Sequence, residues 1–241
     1  MYDKNTNHSS PGKPGFCYVT ILGNRVGRKA PSGGYRKFNN EYKFILVHLR
    51  MRVKDEQKID LFYSSTLTLV SKVGLVGLTI PLIAKTSGVA TGTLYIYFKN
   101  KEDLILALHK KIKNRFGANA FIGYNSDLPS QEGLRVIWEN CLRYAALNYP
   151  EQVFLQQFVV SPYSRDKGQL LYAQETMAPL FQALQAAQSQ SLIKSDKEGL
   201  TIKLLFGFIT QIAADLHETP QLLTNSYIDK TFSYFWDAIK T

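Results

Sequence analysis

Residues 79–104 read TIPLIAKTSGVATGTLYIYFKNKEDL, and this stretch predicts two short helices joined by a tight turn. Thr79 suits the N-cap of the first helix, because its hydroxyl can accept a hydrogen bond from a backbone N–H of the first turn. Pro81 follows within that turn, where the missing N–H of proline costs nothing. Gly88 then ends the first helix.

The second helix is predicted from about Thr91 to Phe98, and its composition is unusual for a core helix. Leu94 and Phe98 lie four residues apart and face the core, whereas the other positions are small, hydroxylated or aromatic. Gly92 costs a helix about 1 kcal/mol relative to alanine, which makes better sense where the backbone must lie close to the floor of a groove. These features predict a helix-turn-helix whose second helix reads DNA.

The letters GVATGTLYIYFKNKEDL resemble the signature of TetR/AcrR-type regulators, in which a turn GVS leads into GTLYxYF and then xxKExL. The resemblance covers about Asp55 to Ile112, and Gly74 fits it as well. Ala90 departs from the pattern, because the family often has a serine there as the helix cap. Thr91 is then expected to take over the cap.

The resemblance implies an all-α fold with an N-terminal three-helix DNA-binding domain and a C-terminal helical domain for ligand binding and dimerisation. We divide the chain accordingly into four parts. They are a basic, disordered N-terminal extension (residues 1–52), the helix-turn-helix domain (53–100), a connecting helix (101–117) and the effector and dimerisation domain (118–241).

The net charge of +10 is unevenly distributed. Residues 1–52 hold ten Lys and Arg against two Asp and Glu, and residues 53–116 hold ten against five. Residues 117–241 hold nine against twelve, which gives this part a net charge of −3. A cationic surface beside a helix-turn-helix supplies sequence-independent attraction to phosphate, whereas the acidic part is not expected to touch DNA.

Composition also limits the classes of function. Two cysteines in 241 residues are too few for a disulfide framework, so a reducing cytoplasm is the expected location. No apolar run is expected to reach the 18 or so residues of a membrane span. The four histidines are scattered, and no metal-ligand spacing, P-loop, GxSxG or dinucleotide motif occurs. We therefore expect neither an enzyme nor a bound metal or cofactor.

The first 50 residues lack helical periodicity and contain the glycine- and proline-rich segments PGKPG and APSGG, typical of loop or disorder. Three interpretations stay open: a basic arm that adds non-specific DNA affinity, an arm that reads a minor groove, or a segment without function. Met51 directly precedes a good first helix, expected at Asp55–Val73. An alternative translation start at Met51 is therefore a hypothesis that the mass of the native protein would test.

The remainder of the chain is predicted to be helical, with prolines at the boundaries. The connecting helix starts at Lys101 and runs to about Phe116. The predicted helices that follow are Ser130–Asn148, Glu151–Val160, Lys167–Ser189, Lys197–His217 and Gln221–Lys240.

The candidate DNA contacts fall into two groups. The residues expected to meet base edges or the groove are Thr91, Gly92, Thr93 and Tyr95. Tyr97 and Lys101 are expected at phosphates because the family places donors at these positions, and the helix end at Thr79 adds backbone N–H groups. Tyr95 and Tyr97 cannot both share the buried stripe with Leu94, so at least one of them should be exposed.

The resemblance also implies a small-molecule pocket between the middle helices. Apolar side chains at helical spacing are more often core than pocket, yet few charges interrupt these stripes, so the effector is expected to be a small apolar or aromatic molecule. The candidate pocket residues are Trp138, Cys141, Tyr144, Phe154, Phe158, Tyr172, Met177 and Phe181.

Family members form homodimers through their last two helices, and here these helices are rich in apolar side chains. A dimer would place two recognition helices about one DNA turn apart on a palindromic operator. The chain is thus expected to be a repressor released by its ligand. The alternative is a helical interaction protein or a DNA-architectural protein without an inducer. The candidate interface residues are Leu205, Ile209, Ile212, Tyr227, Phe232, Phe235 and Trp236.

Overall fold

The computed structural model describes residues 41–165, 167–197 and 199–241, except for the side chains of residues 41–55, 167, 169 and 170. The extension predicted to be disordered covers residues 1–52, of which residues 1–40 lie outside the described residues and residues 41–52 belong to a helix. Val47–Thr241 form one compact unit. In the described part of the chain the structure is helical and has no strand, only an isolated bridge between Ile193 and Lys240. The prediction of an all-α fold is confirmed.

Ten α-helices follow one another in the described residues, with short 3-10 turns at Pro162–Arg165 and Pro220–Leu222. The helices are α1 (Glu41–Val73), α2 (Ile80–Thr86), α3 (Thr91–Tyr97), α4 (Lys101–Ala120), α5 (Ser130–Leu147), α6 (Tyr149–Val159), α7 (Lys167–Thr176), α8 (Ala178–Ser189), α9 (Leu200–Glu218) and α10 (Asn225–Ile239).

Helix α1 begins at Glu41, well before the predicted start at Asp55. The segment from residue 41 to residue 54, EYKFILVHLRMRVK, contains no glycine or proline and is rich in good helix formers. Nothing in it stops a helix, so α1 runs through Met51 without a break.

Two further boundaries differ from the prediction. The expected helix Lys167–Ser189 is divided at Met177, because Pro179 lies in the first turn of α8 and has no N–H to continue the ladder of α7. Helix α9 starts at Leu200 rather than Lys197. The Asp196 carboxylate accepts hydrogen bonds from the N–H groups of Leu200 (2.9 Å) and Thr201 (2.7 Å) and thereby fixes this start.

The buried side chains form two clusters. The head cluster joins α1, α2, α3 and the first half of α4, and it also includes Phe154 and Phe158 of α6. The body cluster joins α5, α8, α9 and α10 with the end of α4, and α5 lies at its centre against α4, α8 and α9. Helices α4 and α6 therefore contribute to the packing of the helix-turn-helix and lie beside the body.

Helix α9 corrects the expectation that no apolar segment reaches membrane length. By length and composition alone Leu200–Glu218 could cross a bilayer, but a single helix of this kind is weak evidence for a membrane protein. The helix buries Leu205 and Ile209 in the body cluster. Only 28% of its apolar window is buried, so a substantial apolar face of α9 is left uncovered within the protomer.

Candidate nucleic-acid interface

Helix α2 begins as the sequence predicts. The Thr79 backbone is extended, and its Oγ1 accepts a hydrogen bond from the Leu82 N–H at 3.3 Å. Pro81 lies in the first turn, where no hydrogen bond within the helix is lost. Ile80, Ile83 and Ala84 of this helix are buried, whereas Thr79 at the N-cap is exposed.

The turn between α2 and α3 is a Schellman motif. Gly88 adopts φ of +67°, which favours glycine. Its N–H donates to the Lys85 carbonyl at 3.3 Å, and the Val89 N–H donates to the Ala84 carbonyl at 3.0 Å. These two bonds satisfy the last carbonyls of α2 and set the angle at which α3 leaves the turn.

Ala90 is the N-cap of α3, and its side chain makes no capping hydrogen bond. The expectation that Thr91 takes over the cap is therefore wrong, because Thr91 is already the first helical residue. The helix starts on backbone bonding alone, with the Thr93 N–H donating to the Ala90 carbonyl at 2.9 Å. A serine at position 90 would supply the acceptor that the family pattern provides.

Helix α3 has one buried side and one open side. Leu94 and Phe98 are buried in the head cluster, as predicted. Tyr95 is 54% exposed, which confirms that at least one of the two tyrosines faces solvent. Tyr97 is half-buried, with its ring centroid 5.8 Å from that of Phe62.

The other predicted contact residues lie on or beside the open side. Gly92 is exposed, and a Cβ built on it would meet no atom of the chain within 4 Å. Packing inside the protein therefore does not require glycine there. Thr91 and Thr93 are partly buried. Their direct contact with base edges stays a prediction.

Ile96 is the residue of this surface that the sequence interpretation missed. It is 79% exposed near the C-terminal end of α3, between two tyrosines. A helical projection could have found it, since it lies about 200° around the helix from the buried Leu94 at about 100° per residue. An exposed aliphatic side chain on a recognition helix can make apolar contact with a thymine methyl group.

Reciprocal capping fixes the start of α4. The Asn100 Oδ1 accepts from the Asp103 N–H at 2.8 Å, and the Asp103 Oδ2 accepts from the Lys99 N–H at 3.0 Å. The pair holds the exposed Lys99 and the partly buried Lys101 at the end of α3. Both lysines follow α3 directly in the chain, and contact of Lys101 with a phosphate stays a prediction.

Helix α6 bonds directly to the turn that follows α1. The Gln157 Oε1 accepts from the Leu75 N–H at 2.7 Å, and its Nε2 donates to the Val70 carbonyl at 3.4 Å. Phe158 on the same helix stacks on His109 of α4, with ring centroids 3.8 Å apart. Helix α6 thus contacts the end of α1 and helix α4, which both belong to the head cluster.

The predicted pocket residues do not lie together. Trp138, Cys141, Tyr144 and Met177 are buried in the body cluster, whereas Phe154 and Phe158 are buried in the head cluster. The two others lie nearer the surface, Tyr172 half-buried and Phe181 42% exposed. A cavity of about 280 Å³ lies instead between α4, α6 and α9, and none of the eight residues lines it.

Burial also determines the protonation state of the Cys141 thiol. Its thiol is fully buried, and the loss of hydration raises its pKa to about 12. The thiol therefore stays protonated and unreactive at neutral pH. Cys141 is therefore a buried thiol of the core.

The predicted interface residues lie mostly inside the protomer. Leu205, Ile209, Phe232 and Phe235 are buried in the body cluster, and Ile212, Tyr227 and Trp236 are partly buried against it. The exposed apolar side chains of the last two helices are different ones. They are Leu200 (54% exposed), Leu204 (42%), Phe208 (37%) and Tyr234 (60%).

Comparison with known proteins identifies the helix-turn-helix. Residues 63–108 match the family model described as bacterial regulatory proteins, tetR family. An uncharacterized HTH-type transcriptional regulator of Haemophilus influenzae is 28% identical over 116 residues, which are 48% of this chain and 62% of the relative. The aligned part thus spans less than two thirds of that relative's length.

Solved structures extend the likeness beyond the head. A TetR family transcription regulator from Marinobacter aquaeolei has a TM-score of 0.70 and 25% identity, covering 78% of this chain and 98% of that one. FadR from Bacillus subtilis, solved in complex with stearoyl-CoA, has a TM-score of 0.54 and 18% identity over 73% of this chain and 96% of that one. The resemblance predicted from residues 79–104 is confirmed, and the similar proteins are transcription regulators rather than enzymes.

Proposed function

We propose that this chain, a TetR-family transcriptional regulator, is a cytoplasmic homodimer that represses transcription from a palindromic operator and leaves it when a small ligand binds. The observation that carries the proposal is the open side of α3. Gly92, Tyr95 and Ile96 are exposed there, and no internal packing explains them. A core helix would cover such a surface, whereas a recognition helix needs it free.

The residues on this surface have separate roles in the proposal. Ile96 and Tyr95 make base contacts together with Thr93, because these side chains surround the open side of α3. Lys101 and Tyr97 hold the backbone phosphates, and the start of α2 at Thr79 adds N–H groups. The phosphate contacts set the affinity for any DNA, and the base contacts set the sequence preference.

The dimer is proposed to form through the exposed face of α9. Leu200, Leu204 and Phe208 follow one another at intervals of four residues, which places them in one stripe along the helix. Tyr234 is the most exposed large aromatic side chain of α10. A second copy would cover this stripe by a two-fold arrangement, in which the same surface is used on both protomers.

Ligand release requires a path from the body to the DNA-reading head, and α6 offers one. Gln156 and Val159 of α6 line the cavity, and Gln157 between them holds the turn after α1. A ligand that moves α6 would thus move a helix that is hydrogen-bonded to the end of α1, and through α1 it would move the DNA-binding domain. The two DNA-binding domains of the dimer can lie at different distances from each other. The ligand acts only to the extent that it binds one of these arrangements more tightly than the other.

The chemical class of the ligand is proposed to be predominantly apolar. Five aliphatic or aromatic side chains line the cavity. FadR from Bacillus subtilis, similar in fold, was solved with stearoyl-CoA. The cavity has a volume of about 280 Å³, just below the range of about 300–1,000 Å³ that is usual for small-molecule pockets. We therefore propose a ligand smaller than stearoyl-CoA.

A DNA-binding measurement tests the central proposal. Fluorescence anisotropy would compare DNA from upstream of the protein's own coding sequence with random DNA between about 50 and 200 mM salt. We expect tighter binding to the upstream DNA and a steep loss of affinity with salt for both, with a slope of about −0.9 per phosphate contact. Weak binding without sequence preference would support the alternative of a helical interaction protein.

Sedimentation tests the dimer. Leu204→Glu places a charge in the middle of the proposed stripe and should shift the protein to monomer at micromolar concentration. Leu147→Glu is the matched control, because Leu147 is 75% exposed at the end of α5 and should leave the dimer intact. A wild-type protein that sediments only as monomer would remove the dimer and the palindromic operator from the proposal.

A further inference from the structure

The cavity between α4, α6 and α9 contains an ammonium group that its apolar surroundings do not explain. Its apolar wall is formed by Phe116, Leu155, Val159, Ile202 and Phe206. Lys113 of α4 lines the same space, and its Nζ lies 6.0 Å from the centroid of the Phe116 ring. The cavity is therefore amphipathic, with the Lys113 side chain beside an apolar wall.

Lys113 has no anionic partner within the described part of the chain, unlike Lys111 and Arg115 on the same helix. Lys111 pairs with Asp60, and Arg115 pairs with Glu151 at 2.6 Å. No carboxylate lies within ion-pair distance of Lys113 in the same described residues, and its burial lowers the pKa of the amine. A partly buried cation without a counterion is costly.

The other polar groups of the cavity give Lys113 no such partner. The Gln152 Nε2 donates to the Thr210 Oγ1 at 2.6 Å, a hydrogen bond that joins α6 to α9. Gln156 is exposed at the rim, and its amide carries no charge. Lys203 also lines the cavity. The charge of Lys113 thus favours an anionic ligand.

We infer that this cavity binds a small amphipathic anion whose negatively charged head group pairs with Lys113 and whose apolar tail lies against Phe116, Leu155 and Ile202. The inference rests on the proposed regulation by a small ligand and gives that ligand a charge. A space of about 280 Å³ holds roughly nine groups of the size of water, at about 30 Å³ each. A medium-chain carboxylate is of this size.

Calorimetry with two probes of equal chain length tests the inference on the full chain. Octanoate carries the proposed head group, and octan-1-ol lacks the charge. We expect the wild-type protein to bind octanoate at least tenfold more tightly than octan-1-ol. Lys113→Met keeps the length and apolar character of the side chain and should reduce this preference to less than about threefold, while the affinity for octan-1-ol stays the same.

Lys110→Met is the matched control, because Lys110 is also on α4 but lies over the Tyr172 ring, outside the cavity lining. It should keep the full preference for octanoate. Equal affinity of the wild type for both probes, no binding of either, or a preference that persists in Lys113→Met would each overturn the inference. Circular dichroism of the variants verifies that they are folded.

A parallel DNA-binding measurement keeps the two proposals apart. If octanoate binds through Lys113 and leaves the affinity for DNA unchanged, the result supports the anion site and contradicts the proposal that a ligand releases the protein from DNA. If another molecule releases the DNA equally well from wild type and Lys113→Met, ligand release stands and the anion site is overturned.

Discussion

Replacing Gly92 with alanine should make the protein more stable and weaken its binding to DNA. Gly92 is the second residue of α3, and an added Cβ would meet no atom of the chain within 4 Å. Its φ is not in the left-handed region, so alanine fits without strain. Such a substitution stabilises a protein by about 0.4–1 kcal/mol, chiefly by restricting the unfolded chain. For a unit of this size the melting temperature should rise by about 1–4 °C.

The effect on DNA binding has the opposite sign, because the proposal places the Gly92 backbone against the groove. An added methyl group in a close-packed contact costs about 1–3 kcal/mol. A dimer makes this contact twice, so the loss is at least about 2 kcal/mol, or roughly 30-fold in affinity. Thermal unfolding followed by circular dichroism and fluorescence anisotropy on upstream DNA measure the two effects separately. Since the variant is more stable, misfolding cannot explain lost binding.

Ala90→Ser is the matched control for this experiment. It supplies the missing capping oxygen of α3 and should raise stability by about 0.5–2 kcal/mol, without adding bulk at position 92. The control should bind DNA at least as tightly as the wild type. If Gly92→Ala is stabilised and binds DNA within twofold of the wild type, the assignment of this side of α3 to the groove is refuted.

Three further predictions concern the head and the core. Lys101→Ala should weaken binding to operator and random DNA alike and lower the salt slope, whereas Thr93→Ala should change sequence preference; equal losses on both DNAs for both variants would contradict this division. Gln157→Ala should lower the free energy of unfolding by about 1–3 kcal/mol, because the Leu75 N–H loses its acceptor. Chemical denaturation would measure this loss, and the control Gln156→Ala should change the free energy of unfolding by less than about 0.5 kcal/mol. The Cys141 thiol, with its pKa raised to about 12, should resist iodoacetamide at pH 8 in the native protein and react once it is unfolded; rapid labelling of the folded protein would contradict its burial.

The sequence predicted the head well because its determinants are local. The Thr79 cap, the turn at Gly88 and the Asn100 cap each depend on residues within a few positions of one another, and all three are present in the structure. The failure at Thr91 is equally local. A cap residue was expected wherever a hydroxyl was available, whereas α3 starts on backbone hydrogen bonds without one.

The body was predicted less well because its sites depend on contacts between distant segments. Helical periodicity located most of the helices but could not say which apolar side chains of α9 and α10 face inward. Leu205 and Phe235 are buried in the protomer, whereas Leu204 and Tyr234 are exposed. A one-residue difference moves a side chain by about 100° around a helix. Tertiary packing determines which side of each helix is buried, and the periodicity of the sequence does not give that packing.

Helix α6 shows what this limitation means for regulation. Its sequence predicts a helix at Glu151–Val160 and nothing about its neighbours. One side belongs to the head cluster through Phe154 and Phe158, and another lines the cavity through Leu155 and Gln156. An effector can shift a two-state equilibrium only by its difference in affinity for the two states. A tenfold difference per cavity amounts to about 1.4 kcal/mol, and two cavities in a dimer would lower DNA affinity about 100-fold. The two hydrogen bonds of Gln157 hold the head to α6 with a free energy of the same order, so the contact is strong enough to transmit such a difference.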